Sequence, residues 1–179
     1  VVTTRRDPQR RRTVLDLIPG VSDYVYPVGR LDYDSEGLLL LTNDGEMASL
    51  LTHPSHGVSR VYKATVRGCP TDRQLRRIAK GMHLDGRKTE PAEVRRISSS
   101  RMSLRNDRAF IEIVLREGRN RQVRRMFQNI GHPVIRLVRT SLGPLQLRGL
   151  KVGHSRDLSK EELRLLRGVL SDLFTPSSS

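Results

Sequence analysis

The chain has 179 residues, with 33 Lys and Arg against 19 Asp and Glu, and a formal net charge of +14. So basic a chain repels itself unless it meets a polyanion, which makes nucleic acid the first partner to consider and an anionic membrane surface the second. Cys69 is the only cysteine, which excludes an internal disulfide and a cysteine-based zinc site. No segment resembles a secretory leader or a membrane span, so a cytoplasmic location is expected. Aromatic residues make up 4% of the chain and Trp is absent, so stacking of bases on aromatic platforms is not expected as the main binding mode.

In chain order, Arg5–Arg12 (RRDPQRRR) reads as a basic loop. Leu38–Thr42 is an apolar, strand-like run, and Glu46–Thr52 reads as a helix. In Arg60–Arg67, Val61, Lys63, Thr65 and Arg67 alternate with Tyr62, Ala64 and Val66, the period of a half-buried strand. A helix is expected over Asp72–Lys80 with Thr71 as its N-cap, then a strand over Ala92–Ile97. Ser98–Asp107 is polar and loop-like, and Ala109–Leu115 again alternates with period two. A helix over Arg121–Ile130, a strand over Pro133–Val138 and a helix over Lys160–Leu170 complete the pattern. Ser159 and Glu162 have capping-box spacing. There is no regular strand–helix–strand rhythm, so the expected class is α+β, with a mixed, largely antiparallel sheet flanked by helices. No linker or repeat is visible. One domain over 1–174 and a disordered tail over 175–179 are expected.

Two segments carry candidate chemistry. Val28–Gly45 (VGRLDYDSEGLLLLTNDG) crowds Asp32, Asp34 and Glu36 between Gly29 and Gly37, ahead of an apolar run. Three readings fit this turn: ordinary surface acids, oxygen ligands for Mg²⁺, or a nucleophilic or general-base aspartate. A calcium loop does not fit, because the late bidentate Glu is missing. Physical chemistry alone leaves the three open. The second segment, Glu117–Phe127 (EGRNRQVRRMF), reads as a helix capped by Asn120. Val123, Met126, Phe127 and Ile130 share one face, Arg121, Arg125 and Gln128 the opposite one, and Arg124 lies on the flank. The basic face is either simply solvated or set against phosphate, with the helix N-terminus adding backbone donors.

Four segments together resemble the RsuA/RluB-type pseudouridine synthases of bacterial ribosomal RNA: VVTTRRDPQRRRTVLDL at Val1–Leu17, PVGRLDYDSEGLLLLTNDG at Pro27–Gly45, His-Pro followed by RVYKATV within His53–Val66, and LREGRNRQVRRM at Leu115–Met126. GRLD alone is weak, but the four in this order are highly specific. The resemblance implies a mixed sheet flanked by helices with a central cleft. It implies Asp32 as nucleophile, Tyr62 as the ring on which the target base packs, and Arg124 as the partner of the aspartate. Arg30 would contact RNA around the flipped nucleotide, and Leu115 would lie against the base. Arg119, Asn120, Arg121 and Arg125 are the further expected RNA contacts. No cofactor and no metal are implied, and ribosomal RNA is the implied partner of a monomer. The DYDSEGLLLLTNDGE segment looks closer to the RluB-like branch, which favours the large subunit. Members of this family usually begin with a small S4-like RNA-binding domain and a Lys-Pro-x-Gly motif, and both are expected upstream of Val1. Two rivals stand beside this reading: a non-catalytic RNA-binding ribosome-assembly factor, and a Mg²⁺-dependent nuclease using Asp32, Asp34 and Glu36.

Overall fold

A computed structural model of the chain describes residues 3, 9, 11–18, 20, 24–97 and 107–172. Residues 98–106 of the expected loop Ser98–Asp107, the tail Thr175–Ser179, and much of Arg5–Arg12 lie outside the described residues. The elements are β1 (Tyr26–Pro27), β2 (Glu36–Gly37), β3 (Leu41–Thr42), α1 (Gly45–Thr52), β4 (Arg60–Arg67), α2 (Asp72–Ala79), β5 (His83–Leu84), β6 (Arg87–Lys88), β7 (Glu93–Arg96), β8 (Arg108–Leu115), α3 (Gln122–Asn129), β9 (Val134–Leu142), β10 (Leu145–Gln146) and α4 (Lys160–Asp172). This is an α+β fold with a mixed, largely antiparallel sheet. The chain divides into two compact units, Val1–Val58 with Ser141–Ser179, and Ser59–Thr140. No helix among the described residues is long and apolar enough to cross a membrane.

In the Ser59–Thr140 unit the strands lie in the order β9-β4-β8-β7. The β4–β8 ladder is antiparallel over its whole length, from Arg60 opposite Leu115 to Arg67 opposite Arg108. Residues directly opposite share a face, so Ala64 and Val66 point the same way as Ala109, Ile111 and Ile113. That face packs with Leu75 and Ile78 of α2 and with Val123, Met126 and Phe127 of α3. Each large apolar side chain so buried contributes about 1.5–3 kcal/mol. The period of two in both strands is the imprint of this one-sided cover. Helix α2 begins on a capping box, with Thr71 and Gln74 exchanging hydrogen bonds. Gln74 Nε2 donates to the Ile130 carbonyl at 2.9 Å, tying α2 to the end of α3.

In the other unit, β1 pairs antiparallel with β3, and the Val28 N–H donates to the Leu40 carbonyl at 2.8 Å. Val28 and Leu40 are buried with Ala48 and Leu51 of α1 and Leu166 of α4. Leu38–Thr42, expected as one strand, pairs with β1 only at its end. Leu38 and Leu40 instead pack against the cluster that α1 and α4 join, so their apolar character reflects packing in a returning loop. Asp44 caps α1 by accepting from the Met47 N–H at 2.9 Å.

The capping box of α4 forms as its spacing predicts: the Glu162 N–H donates to Ser159 Oγ at 3.1 Å, and the Ser159 N–H donates to Glu162 Oε2 at 2.9 Å. The Arg156 guanidinium also donates to both Glu162 oxygens, at 2.8 and 2.6 Å. Arg156 chiefly, with the Ser159 N–H, lowers the Glu162 carboxyl from 4.5 to about 2. A carboxyl with a depressed folded-state value contributes stability above its unfolded value and loses it as pH falls through the folded one. Glu162→Gln should therefore melt below the parent near neutral pH, with the gap closing between pH 4.5 and about 2. Thermal melts across that range check this, and a gap that stays constant with pH would count against it.

Candidate active site

The acidic turn belongs to the Val1–Val58 unit. The ladder of β1 with β3 and the Val28–Leu40 bond close the base of a loop, and residues 29–39 form the excursion above it. Within it the Ser35 N–H donates to the Asp32 carbonyl at 2.9 Å, which makes Asp32–Ser35 a β-turn with Tyr33 and Asp34 at its centre. Tyr33 and Asp34 are exposed, whereas Asp32 is half-buried at the first position of the turn. Thr3 Oγ1 donates to the Leu31 carbonyl at 3.0 Å and holds the strand of chain leading into Asp32. Arg30 is exposed, two residues before it. Asp32 and Glu36 are both half-buried and Asp34 between them is exposed; Asp32 stands at the head of the turn and Glu36 in β2. Among the described residues no three His, Cys, Asp or Glu side chains are grouped so as to hold a metal ion.

The Ser59–Thr140 unit carries the other expected residues. Tyr62 shares the helix-covered face of β4 and packs, half-buried, against the cluster that contains Leu115 and Val123. Leu115 keeps 3% of its surface and is a core residue, so it offers a base almost no area to pack on. Arg124 is half-buried, and its Nη1 donates to the Val134 carbonyl at 3.2 Å, which fixes the guanidinium against the start of β9. Asp32 is in the first unit, and Tyr62, Leu115 and Arg124 are in the second.

The basic segment before α3 differs from its expected form. Asn120 does not cap the helix. Arg121 stands at the N-cap in the left-handed region, φ 48°, with no side-chain cap. A lock around Glu117 replaces the cap. Its Oε1 accepts from the Glu90 N–H at 3.0 Å and from Gln122 Nε2 at 2.5 Å, and its Oε2 accepts from Arg119 Nε at 2.9 Å. Gln122 is 3% exposed, and its Oε1 accepts from the Arg119 N–H at 3.1 Å. Arg119, expected on RNA, donates instead to the Arg87 and Lys88 carbonyls of the β5–β6 hairpin at 3.1 and 2.5 Å. Arg125 is ion-paired with Asp85 at the tip of that hairpin. The tip is an Asp85-Gly86 turn with φ 52° and 74°, a pair of positive values that Asp-Gly accommodates. Glu117→Ala would leave the buried Gln122 Nε2 and the Arg119 Nε without their acceptor, and a loss of about 1–3 kcal/mol is expected in urea unfolding. A loss below about 0.5 kcal/mol would mean the lock is dispensable.

Two further cations stand near Tyr62. Arg60 lies two residues before it on the same face of β4, and Arg139 of β9 is 3% exposed. Burial lowers the Arg60 pKa. The charge of Arg139 adds to that effect, and Tyr62 opposes it. Arg60 was open to detection from the period of two. Arg139 had no signal beyond the apolar residues around it.

A protein-family model described as RNA pseudouridylate synthase matches residues 2–129. The chain is 42% identical over 169 residues to a protein named ribosomal large subunit pseudouridine synthase B of Bacillus subtilis, covering 94% of this chain and 68% of that one. It is 41% identical over 162 residues to ribosomal large subunit pseudouridine synthase E of Vibrio vulnificus, covering 86% and 68%. A crystal structure of a pseudouridylate synthase superposes with a TM-score of 0.74 at 30% identity, over 86% of this chain and 65% of that chain. The chain belongs to the RNA pseudouridylate synthase family. It is an enzyme that isomerises uridine in RNA to pseudouridine.

Proposed function

We propose that the substrate is one uridine of large-subunit ribosomal RNA, with Asp32 as nucleophile, Arg124 as its countercharge and Tyr62 as the face on which the uracil packs. Asp32 carries the reading: it is a half-buried carboxylate at the head of a turn whose base is closed by a strand ladder and a buried cluster. The names of the B- and E-type relatives support the choice of ribosomal RNA and of its large subunit. Isomerisation breaks the N1–C1′ bond, turns the base and joins C5 to C1′. The nucleotide must first leave its stack, which costs a few kcal/mol in a duplex and less in a loop. Phosphate contacts of this +14 chain offset that cost. Asp32 must be ionised to act. A guanidinium supplies the needed positive charge and stays protonated, so it does not compete for the proton. Tyr62 presents a ring face to the uracil and a hydroxyl near its edge. No redox or phosphoryl-transfer step occurs. Mapping pseudouridines in ribosomal RNA from cells with and without the gene tests the reading. Loss of one large-subunit position is expected, and an unchanged map would sink it.

Of the basic residues at the start of α3, Arg121 at the N-cap is exposed and Arg125 in the first turn is ion-paired with Asp85. A phosphate contact from Arg121 predicts that Arg121→Ala lowers the log–log salt slope of RNA binding by about 0.7. Arg125→Ala should change it less, because Asp85 already cancels part of that charge. Equal slopes in parent and Arg121→Ala would remove this contact from the interface.

A further inference from the structure

Helix α2 turns a row of cations to solvent: Arg73, Arg76, Arg77 and Lys80, all exposed. Their spacing, i, i+3, i+4 and i+7, lines one face of a helix. The opposite face carries Leu75 and Ile78 into the core. At 1.5 Å of rise per residue the row is about 10 Å long. Nothing in the catalytic reading uses it.

The charge of this row is not cancelled in place. Among the described residues, the side chains of Arg73, Arg76 and Lys80 make no hydrogen bond and no ion pair. Arg77 donates to Asn129 Oδ1 at 3.1 Å, a neutral amide that leaves the guanidinium charge standing. Asp72, the acid of α2, is ion-paired with Arg96 of β7 at 2.9 Å, and Asp85, beyond the C-terminal end of α2, is paired with Arg125. Residues 98–106 (SSSRMSLRN) contain two arginines and no acid, so they bring no countercharge.

Such a row works against its own helix. Like charges three and four residues apart repel. The helix dipole favours the cations of the last turn, Arg76 and Arg77, but disfavours Arg73 in the first. The helix is nevertheless anchored at both ends, by the Thr71 capping box and by the Ala92 N–H, which donates to the Ala79 carbonyl at 3.0 Å. A fixed row of uncancelled cations is complementary to a fixed row of anions. Arginine, which makes up most of it, suits phosphate by its planar fork. The row contains no apolar or aromatic side chain. A protein partner would need an apolar anchor, a membrane an apolar face, and a single strand a ring to stack on. The phosphates of an RNA duplex need none of these. We propose that α2 is a second RNA-docking surface, apart from the catalytic residues, which binds the phosphates of a double-stranded segment flanking the target uridine. This inference rests on RNA being the substrate, and not on the roles given to Asp32, Tyr62 and Arg124. The segment is recognised by shape and charge, without regard to its sequence.

The triple variant Arg73→Gln/Arg76→Gln/Lys80→Gln tests the surface, with Arg77 kept because it ties α2 to α3. Glutamine is a good helix former and all three positions are exposed, so the melting temperature should hold or rise. A control triple, Arg148→Gln/Lys151→Gln/Arg167→Gln, removes the same charge from exposed positions of the other unit. Binding is measured as a function of salt on an RNA hairpin with a long unbroken stem, and on a single strand of equal length that forms no stem. On the stem, the α2 variant should lower the log–log salt slope by about 2–3 and the affinity at about 0.1 M salt tenfold or more. The control should lose less than half as much, and on the single strand the two triples should differ little. On large-subunit rRNA fragments, the α2 variant should lose kcat/KM through KM, and only while the stem flanking the uridine is present. A parental salt slope in the α2 variant would overturn the surface, and so would a control that loses as much. Equal losses on stem and single strand would overturn the duplex as its ligand. An α2 variant that binds RNA as the parent does but no longer sediments with phosphatidylserine vesicles would give the row to a membrane instead. A parent that forms no pseudouridine in rRNA would overturn the functional reading, while the stem-binding result would still decide the surface.

Discussion

Asp32→Asn is expected to lower pseudouridine formation on the order of 10⁴-fold or more, while leaving the fold and RNA binding in place. Asparagine has nearly the same shape as aspartate, and the turn that presents residue 32 is held by backbone groups. The Asp32 carbonyl accepts from the Ser35 N–H at 2.9 Å, and neither atom is changed by the substitution. The charge and the nucleophilicity are removed. RNA affinity should hold or rise slightly, because one negative charge leaves a chain of net charge +14. Asp34→Asn and Glu36→Gln serve as controls, since Asp34 is exposed and Glu36 is the first residue of β2. Both should keep much of the activity, and turnover should survive EDTA once RNA folding is controlled. Substantial isomerisation by Asp32→Asn would end the nucleophile assignment. Equal losses at all three acids, restored by Mg²⁺, would assign the turn to metal binding instead.

The parts of the fold that were legible in the sequence are those in which a single face is buried. Strands β4 and β8 pair over eight residues each, and only one side is covered by helices, so the burial alternates and the sequence alternates with it. The apolar stripe of α3 was legible for the same reason: Val123, Met126, Phe127 and Ile130 are all buried. Leu38–Thr42 was not legible, because a continuous apolar run looks the same in a buried strand and in a loop packed on a helix. The β5–β6 hairpin escaped because its strands have two residues each, too short to show a period, although Asp85-Gly86 was a turn signal. In the EGRNRQVRRM segment every basic residue but Arg124 was assigned to RNA. The structure engages Arg119 and Arg125 internally, and the organising residues are the acid and the amide, Glu117 and Gln122. Polar residues that lock a turn show no periodicity, so only the three-dimensional arrangement separates them from residues that meet a ligand.

Arg124→Ala should cut turnover by about 10²–10³-fold and change RNA affinity far less. The motivation is its placement. Arg124 lies on the flank of α3, half-buried, between the core face of Val123 and Phe127 and solvent, and its Nη1 is fixed on the Val134 carbonyl at 3.2 Å. A phosphate contact would favour an exposed side chain free to follow the backbone of the RNA. A half-buried, pinned guanidinium is better suited to stabilise a charge at a fixed point. Arg124→Lys keeps the charge but replaces a planar fork with a point charge, so it should retain more activity than Ala and less than Arg. Asp32 and Arg124 belong to different compact units, so the pairing between them is best tested by energetic coupling. If the two act as one unit, Asp32→Asn with Arg124→Ala should be no slower than Asp32→Asn alone, because a countercharge has no role once the charge it stabilises is gone. A double variant slower by the full product of the two single losses would show that Arg124 acts on the RNA rather than on the aspartate. A fall in affinity matching the fall in turnover would place it among the phosphate-binding arginines.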